Sequence, residues 1–507
     1  MSSVQSSPSA AMLTDLYELT MAYGYWKSGM ADAEAVFHLS FRENPFDGGF
    51  AVACGLGSVL ESLEGFGFHD QDVQYLSSLE GNDGEPLFSQ EFLRYLRELK
   101  LACDIDAVPE GSVVFGYEPL VRVKGPLLHC QIIETLLLNL INYQTLVATK
   151  AARVAMAAKG DPVMEFGLRR AQGINGGLAA SRAAYLGGCS ATSNVLAGQL
   201  YGIPVGGTLA HSWVMAFDTE IEAFETYAEA LPNNVTLLVD TYDSLEGVRR
   251  AVAIGRALRE RGHRLAGIRL DSGDLAWLSI QARKILDEGG FPEAAITASN
   301  EFDEYVIESL KQQGATIQVW GVGTRLVTGW SQPALGGVYK LSAVRAPGTD
   351  WKYRIKLSEQ SAKISTPGLL QVRRFRRGSE YVGDMVWTES LPPGPRPTMI
   401  DPLDPTRQKT FSQKETSEDL LIPIMRGGAI VYDRPPLIES RSFVQEQLGG
   451  FHEGIKRFLH PHEYPVGLEQ RLQELKTDLI LQARSSKGTE TEVNDEQVGT
   501  RAGGHTE

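Results

Sequence analysis

The sequence predicts an α/β protein centred on a parallel sheet with helical crossovers. This sheet curls into a barrel or partial barrel, with mixed α and β regions before and after it. Three observations carry this reading. Strands and helices alternate from Val163 to Trp320 at roughly 25–30 residues per unit, the spacing of right-handed crossovers. The later strands of that run are apolar and β-branched, as expected when both faces are covered. The chain has 507 residues and 43% hydrophobic content, too long for one core and apolar enough for two or three packed units.

In chain order, Leu13, Leu16, Leu19 and Tyr23 fall near helical spacing and predict a helix over Met12–Gly29, capped by Thr14 or Asp15. Ala35–Phe41 alternates as a strand, Phe46–Gly49 is turn-like, and Val113–Tyr117 and Val121–Val123 are predicted short strands broken at Glu118-Pro119. The central run predicts strand Val163–Phe166, helix Ser193–Tyr201 and strand Ile203–Val205. It continues with strand Thr236–Asp240, helix Leu245–Glu260, strand Leu265–Leu270 and helix Leu275–Glu288. Strand Ala295–Ala298, helix Glu304–Gln313 and strand Ile317–Trp320 complete it. Beyond Tyr339, strands are predicted at Trp351–Leu357 and Leu370–Phe375, a Pro-rich connection at Pro392–Pro405, and helices at Val444–Phe458 and Gly467–Arg484. The layout expected is a flexible tail (1–10), an N-terminal α+β region (11–150), the barrel region (151–345), a C-terminal α+β region (346–484) and a disordered tail (485–507).

A formal net charge of −15 argues against a general nucleic-acid binder. Anionic ligands would need local arginines and backbone N–H groups to overcome the overall field. The four cysteines, Cys54, Cys103, Cys130 and Cys189, show no CxxC spacing and are expected to be reduced, buried thiols. With no signal-peptide pattern and no apolar stretch of membrane-spanning length, a soluble cytoplasmic protein is expected.

Parallel α/β folds place their sites at the carboxyl ends of the strands. Those ends carry Glu165, Thr208, Asp240, Arg269 with Asp271, Asn300, and Gly321–Thr324. In Gly321-Val322-Gly323-Thr324, two glycines let backbone N–H groups approach phosphate oxygens and the threonine adds a donor. The alternative is a tight turn closing the strand. No third glycine at dinucleotide spacing and no GxxxxGK[ST] occur, which disfavours a Rossmann or Walker-type site. His211 follows the pair Gly206-Gly207 at a strand end, where it can serve as acid, base, nucleophile or structural group. His452, His460, His462 and Glu463 suggest a metal site or a structural turn. Arg42, Arg169, Arg170, Arg269 and Arg325 are the candidate anion-binding cations. From the residues alone the reading stops at a phosphate-handling α/β-barrel enzyme, with aldolases and isomerases still open.

The motifs resemble those of nicotinate phosphoribosyltransferases. The similar segments are Thr14-Asp15-Leu16-Tyr17-Glu18-Leu19-Thr20-Met21; Phe41-Arg42 with Pro45-Phe46 and Gly48-Gly49-Phe50-Ala51-Val52; Glu165-Phe166-Gly167-Leu168-Arg169-Arg170; Gly207-Thr208-Leu209-Ala210-His211-Ser212; Leu238-Val239-Asp240-Thr241-Tyr242-Asp243; Ile268-Arg269-Leu270-Asp271-Ser272-Gly273-Asp274; Gly321-Val322-Gly323-Thr324; and Pro461-His462-Glu463-Tyr464-Pro465. No motif is recognised between about Ala346 and Thr410.

The resemblance implies an irregular parallel (β/α) barrel with a flanking α+β domain built from N- and C-terminal segments, and a homodimer with shared sites. It implies synthesis of nicotinate mononucleotide from nicotinate and phosphoribosyl pyrophosphate, with ATP as co-substrate, Mg²⁺ or Mn²⁺, and a phosphorylated histidine at His211. Tyr17 and Phe166 would stack on the pyridine ring, and Thr208 and Arg269 would complete the nicotinate site. Arg169, Ser272, Gly321, Gly323 and Thr324 would take phosphoribosyl pyrophosphate. Asp240 and Asp271 would stabilise the cationic transition state, while the metal ligands stay unassigned. Competing readings are a nicotinamide phosphoribosyltransferase, a quinolinate phosphoribosyltransferase and a non-catalytic pyridine-nucleotide-binding protein.

Overall fold

Six parallel strands form the central sheet. Their order across it is Ala191–Thr192, Val163–Glu165, Val319–Val322, Ala295–Asn300, Leu265–Leu270, Val235–Leu238. The structure, a computed structural model, describes residues 9–360 and 363–499. Side chains from both faces of the sheet are buried, Leu237, Ile268, Leu270, Ile296, Trp320 and Val322 on one and Leu238, Thr297 and Ser299 on the other, as expected of a covered parallel sheet. Three of the returning helices start on an aspartate. Asp243 caps Ser244–Glu260, Asp274 caps Leu275–Glu288 and Asp303 caps Glu304–Gln312, each accepting backbone N–H bonds. Caps of this kind contribute about 1 kcal/mol each and set where the chain leaves the sheet rim.

The predicted strand Ile203–Val205 is reduced to one bridge, Val205 beside Thr192. Pro204 removes a backbone donor there. The sheet therefore stays open between Val205 and the Val235–Leu238 edge, a half-barrel rather than a closed one. The segment after Gly206 crosses that opening.

The flanking domain draws on both ends of the chain. One seven-stranded sheet runs Lys352–Tyr353, Val338–Arg345, Glu34–Ser40, Pro119–Pro126, Asp104–Ala107, Ile422–Arg426, Ala429–Ile430. Another sheet contains Leu370–Arg377, Glu380–Thr388 and Val466–Glu469, all from the C-terminal part. The long helix Glu134–Ala158 joins flanking domain to barrel and is buried along most of its C-terminal half. Inside the join, Glu304 meets Lys150 Nζ at 2.7 Å and Arg153 Nε at 2.8 Å, all three fully buried. The Phe46 ring lies 4.7 Å below Lys150.

Several expectations are corrected. The connection Pro392–Pro405 contains the strand Thr398–Ile400. Gly467 opens no helix; it sits in the strand Val466–Glu469, and the helix follows from Gln470. The helix expected over Val444–Phe458 runs Leu437–Gly449. The last helix runs Gln470–Gly499, and of the tail expected from residue 485, residues 500–507 lie outside the described residues. So do residues 1–8 of the N-terminal tail, while Ala10–Met12 form a short turn. All four cysteines are free and buried. Among the described residues no helix is long and apolar enough to cross a membrane. No group of three metal-ligating side chains converges among them either, so the His452–His462 region carries no such set.

Candidate active site

Arg269 organises the rim. It lies next to the end of Leu265–Leu270, and residue i+2 on the same face is Asp271. Its Nη2 donates to Asp271 Oδ1 at 2.8 Å, its Nε to Ser299 Oγ at 2.7 Å, and its Nη1 to Thr208 Oγ1 at 2.9 Å and the Leu209 carbonyl at 3.3 Å. The Thr208 segment is thereby pinned across the open edge of the half-barrel. Among the described residues these bonds engage four of the five guanidinium N–H groups. Ser299 also donates to Asp271 Oδ1. Burial pushes the Asp271 carboxyl up. The Ser299 and Arg269 hydrogen bonds and the Arg269 and His211 charges outweigh it and hold it below the usual carboxylate range.

His211 begins the short helix His211–Met215 and is 40% exposed. Its Nδ1 lies 3.1 Å from Thr241 Oγ1, and its Nε2 lies 3.7 Å from Asp271 Oδ2. The ring is thus oriented from both sides and still open to a reacting group. Asp240 Oδ2 accepts from the Asp271 backbone N–H at 2.7 Å and from Ser272 Oγ at 2.8 Å. Asp240 Oδ1 is buried with no hydrogen-bond partner among the described residues. Ser272 is therefore engaged in holding Asp240.

The aromatic wall is Phe166. Its ring lies 6.0 Å from the Arg269 guanidinium carbon and packs where a side chain on residue 321 would be: a Cβ at Gly321 would fall 2.7 Å from Phe166 Cδ2. Gly321 is thus needed for the ring as much as for any phosphate. Glu165, expected on the rim, is buried instead. It accepts from Gly167 N–H, from Ser181 Oγ at 2.8 Å and from Thr192 Oγ1 at 2.6 Å, fixing the turn that presents Phe166. Thr324 begins the turn after Gly323 and donates to Glu301 Oε1 at 3.0 Å, while Arg325 pairs with Asp303 at 2.6 Å. Arg169 and Arg170 stand exposed on the short turn Leu168–Arg170 with no ion-pair partner among the described residues.

Tyr17 does not join this ring within one chain. It lies 46% exposed on helix Leu16–Lys27, along a cleft of about 320 Å³ with Asn142, Tyr143 and Leu335. The other polar residues of its motif are tethers. Buried Glu18 accepts from Thr14 Oγ1 at 2.6 Å, from Thr135 N–H at 2.9 Å and from Thr135 Oγ1 at 2.5 Å, and Asp15 accepts from Thr135 Oγ1 at 3.0 Å. Burial, then the Glu134 charge, pushes the Tyr17 hydroxyl up to about 12. Beyond Glu134 stands Lys340, whose ammonium is pushed down by burial, with the Lys356 and Arg42 charges adding to the shift.

Sequence reasoning missed Ser299, Thr241, Lys340 and Lys356. Ser299 sits inside an apolar strand run, where a lone serine gives no signal, and Lys340 alternates with apolar neighbours as any strand residue does. A cleft of about 740 Å³ opens elsewhere, between Arg42, Tyr117, Asp401 and Lys409. None of the Arg269 ring residues lines it, so size alone does not mark the chemistry.

A half-barrel whose strand ends gather a guanidinium, an oriented imidazole, two carboxylates and an aromatic wall defines a phosphate-handling α/β-barrel enzyme. The N-terminal domain model of nicotinate phosphoribosyltransferase matches residues 12–142, and its C-terminal domain model matches residues 371–476. The nicotinate phosphoribosyltransferase of Bacillus subtilis (strain 168) is 41% identical over 482 residues, covering 94% of this chain and 96% of that protein. The Homo sapiens nicotinate phosphoribosyltransferase is 37% identical, covering 92% and 96%. The crystal structure of human nicotinic acid phosphoribosyltransferase superposes with a TM-score of 0.81 at 35% identity, covering 92% of this chain and 99% of that one. This chain belongs to the nicotinate phosphoribosyltransferase family and is an enzyme.

Proposed function

We propose that the enzyme joins nicotinate to phosphoribosyl pyrophosphate, forming nicotinate mononucleotide and pyrophosphate on the route to NAD, and that ATP assists through phosphorylation of His211. The observation that carries this reading is the Arg269 fork, which among the described residues has one Nη2 hydrogen spare, with the Thr208 hydroxyl and the Phe166 ring beside the guanidinium. A planar aromatic carboxylate fits such a set: the ring lies on Phe166 and the carboxylate takes Arg269 and Thr208. Nicotinamide offers no negative charge to that guanidinium.

The pyridine nitrogen has a free lone pair and attacks C1 of the ribose as pyrophosphate leaves, so no base is required. Positioning and charge stabilisation supply the catalysis. Asp240 and Asp271 face the developing cation. Asp240, whose buried Oδ1 has no hydrogen-bond partner among the described residues, would be the residue to hold a hard cation such as Mg²⁺. Such a cation would supply charge for the leaving pyrophosphate. Gly323, Thr324, Arg325 and the exposed Arg169 hold the phosphates. Phosphorylated His211 would add about −1.5 to −2 charges at the rim, altering the hold of Arg269 and Asp271 on their ligands.

The site is shared in a homodimer. Tyr17 and the Arg42–Lys340–Lys356 cations serve the Arg269 ring of a second copy, and the exposed apolar residues Leu13, Leu16 and Met21 around Tyr17 cover one another's counterpart. The free buried thiols suit the cytoplasm. The test is pyrophosphate release from purified protein with nicotinate or nicotinamide, each with and without ATP. Release with nicotinate, enhanced by ATP, is expected; equal use of both bases would overturn the Arg269 assignment.

A further inference from the structure

The cleft of about 740 Å³ adjoins a small cavity of about 50 Å³, and the two share only Arg42 and Tyr117 among their described lining residues. These two residues therefore form the partition. The large cleft carries four carboxylates, Glu43, Asp47, Asp401 and Glu463. The small cavity carries none, and Lys340, Ser40, Ser365 and Thr366 line it instead. Arg407 lies 3.4 Å from Asp401 and 3.3 Å from Glu463. Glu43 and Asp47 are exposed and pair with no cation among the described residues, and Arg42 makes no ion pair or side-chain hydrogen bond among them. A guanidinium within reach of two free carboxylates is drawn to them, so its unpaired state calls for a cause. Tyr117 holds a φ of 71°, a left-handed backbone that is unfavourable for a bulky residue. The Arg42 segment itself imposes it. Tyr117 N–H donates to the Phe41 carbonyl at 2.8 Å and Gly116 N–H donates to Asn44 Oδ1 at 3.0 Å. A Cβ on Gly116 would fall on the Arg42 carbonyl oxygen, so this close approach needs glycine there.

We propose that Tyr117 is a positioning residue for the transfer reaction: its ring keeps Arg42 off the Glu43 and Asp47 carboxylates, so that the guanidinium stays free for the anionic substrate, phosphoribosyl pyrophosphate. The backbone clamp fixes where the ring stands, and the strained φ is the cost of placing an aromatic side chain at that point. Arg42 then shares the carboxylate-free cavity with the Lys340 side chain. The role rests on the shared-site reading above, in which Arg42 and Lys340 serve a second copy, and deepens it by naming what leaves Arg42 unpaired.

The experiment compares Arg42→Ala, Tyr117→Gly, Tyr117→Phe and the triple variant Tyr117→Gly/Glu43→Gln/Asp47→Asn in the full-length enzyme, measuring KM for each substrate, kcat and thermal midpoint. Glycine accepts the positive φ and keeps the bond to Phe41, so it removes the ring alone. Tyr117→Gly should raise the phosphoribosyl pyrophosphate KM roughly fivefold, with kcat and the nicotinate KM changed less than about twofold. Tyr117→Phe, which keeps the ring, should stay within about twofold of wild type. The triple variant should recover most of the loss, because the competing carboxylates are gone; asparagine also tolerates the left-handed backbone of Asp47. A raised KM in Arg42→Ala with no change in Tyr117→Gly overturns this proposal alone, as does a Tyr117→Gly loss that persists in the triple variant. Equal losses in Tyr117→Phe and Tyr117→Gly would assign the effect to the hydroxyl and overturn it too. An unchanged phosphoribosyl pyrophosphate KM in Arg42→Ala overturns the cation assignment and this proposal with it. Tyr117→Asn, which also accepts a positive φ, keeps the test open should Tyr117→Gly fail to fold.

Discussion

Arg269 and Asp271, two residues apart beside one strand end, bind each other at 2.8 Å and share Ser299 as a common partner. The pair is a preformed unit on the rim. It keeps the guanidinium aimed without a ligand, so little rearrangement is needed when a carboxylate arrives.

Arg269→Lys should therefore be a severe change despite its conserved charge. A lysine ammonium cannot reach Ser299, Thr208 and Asp271 together in one plane. The nicotinate KM should rise at least about tenfold, the equivalent of ~1.4 kcal/mol, with a smaller effect from Thr208→Val. Initial rates against nicotinate concentration check this.

His211→Ala should abolish ³²P incorporation from γ-labelled ATP and the stimulation by ATP, leaving a slower ATP-independent reaction. Arg269 and Phe166, the proposed base-binding groups, make no hydrogen bond or ring contact to His211 among the described residues. Full ATP stimulation in this variant would contradict the phosphohistidine assignment.

The depressed Asp271 carboxyl gives a pH test with a definite sign. A carboxyl whose native pKa lies below its unfolded value of about 3.9 contributes stability that is fully present above that value. The contribution is lost as pH falls through the lowered native value. Asp271→Asn should flatten the loss of stability below about pH 4 and leave its slope near neutral pH unaltered. Urea unfolding across an acid pH series measures it.

Gly321→Ala should act on the ring rather than on the fold. The new Cβ meets Phe166 Cδ2 at 2.7 Å and Ser299 Cβ at 3.1 Å, so the phenyl ring must shift. A raised nicotinate KM with a near-normal KM for phosphoribosyl pyrophosphate is expected. The reverse pattern would make Gly321 a phosphate residue first.

Glu304→Ala should be the most destabilising of these changes, by about 3–5 kcal/mol, because it strands two buried cations, Lys150 and Arg153. Equilibrium denaturation of the purified variant tests it.

Much of the barrel was legible because its signals are local. Leu265–Leu270 and Leu275–Glu288 match their predicted bounds, each an apolar run or amphipathic stretch followed by a turn residue. The rim residues Thr208, Asp240, Arg269 and Asp271 were legible for the same reason, as polar groups directly after apolar strands, and the structure joins them. Glu165 follows the same pattern yet is buried. A strand end says where a side chain lies, and only the packing of Ser181 and Thr192 says which way it turns. Likewise Pro204 thins the predicted Ile203–Val205 strand to one bridge, and the Thr398–Ile400 strand hides in a Pro-rich run because its partners come from Val466–Glu469 and Gln408–Thr410. Ser299 and Lys340 owe their places to long-range pairing and carry no local mark.

The central claim is that two half-sites, Tyr17 with its cations and the Arg269 ring, come together from different copies of the chain. Tyr17→Ala and Arg269→Ala proteins, each inactive alone, should be unfolded, mixed in equal amounts and refolded, and pyrophosphate release followed with nicotinate. Recovery to about one quarter of wild-type activity is predicted, because half of the random dimers are mixed and each of those carries one intact site. No recovery in refolded mixed dimers would contradict the claim.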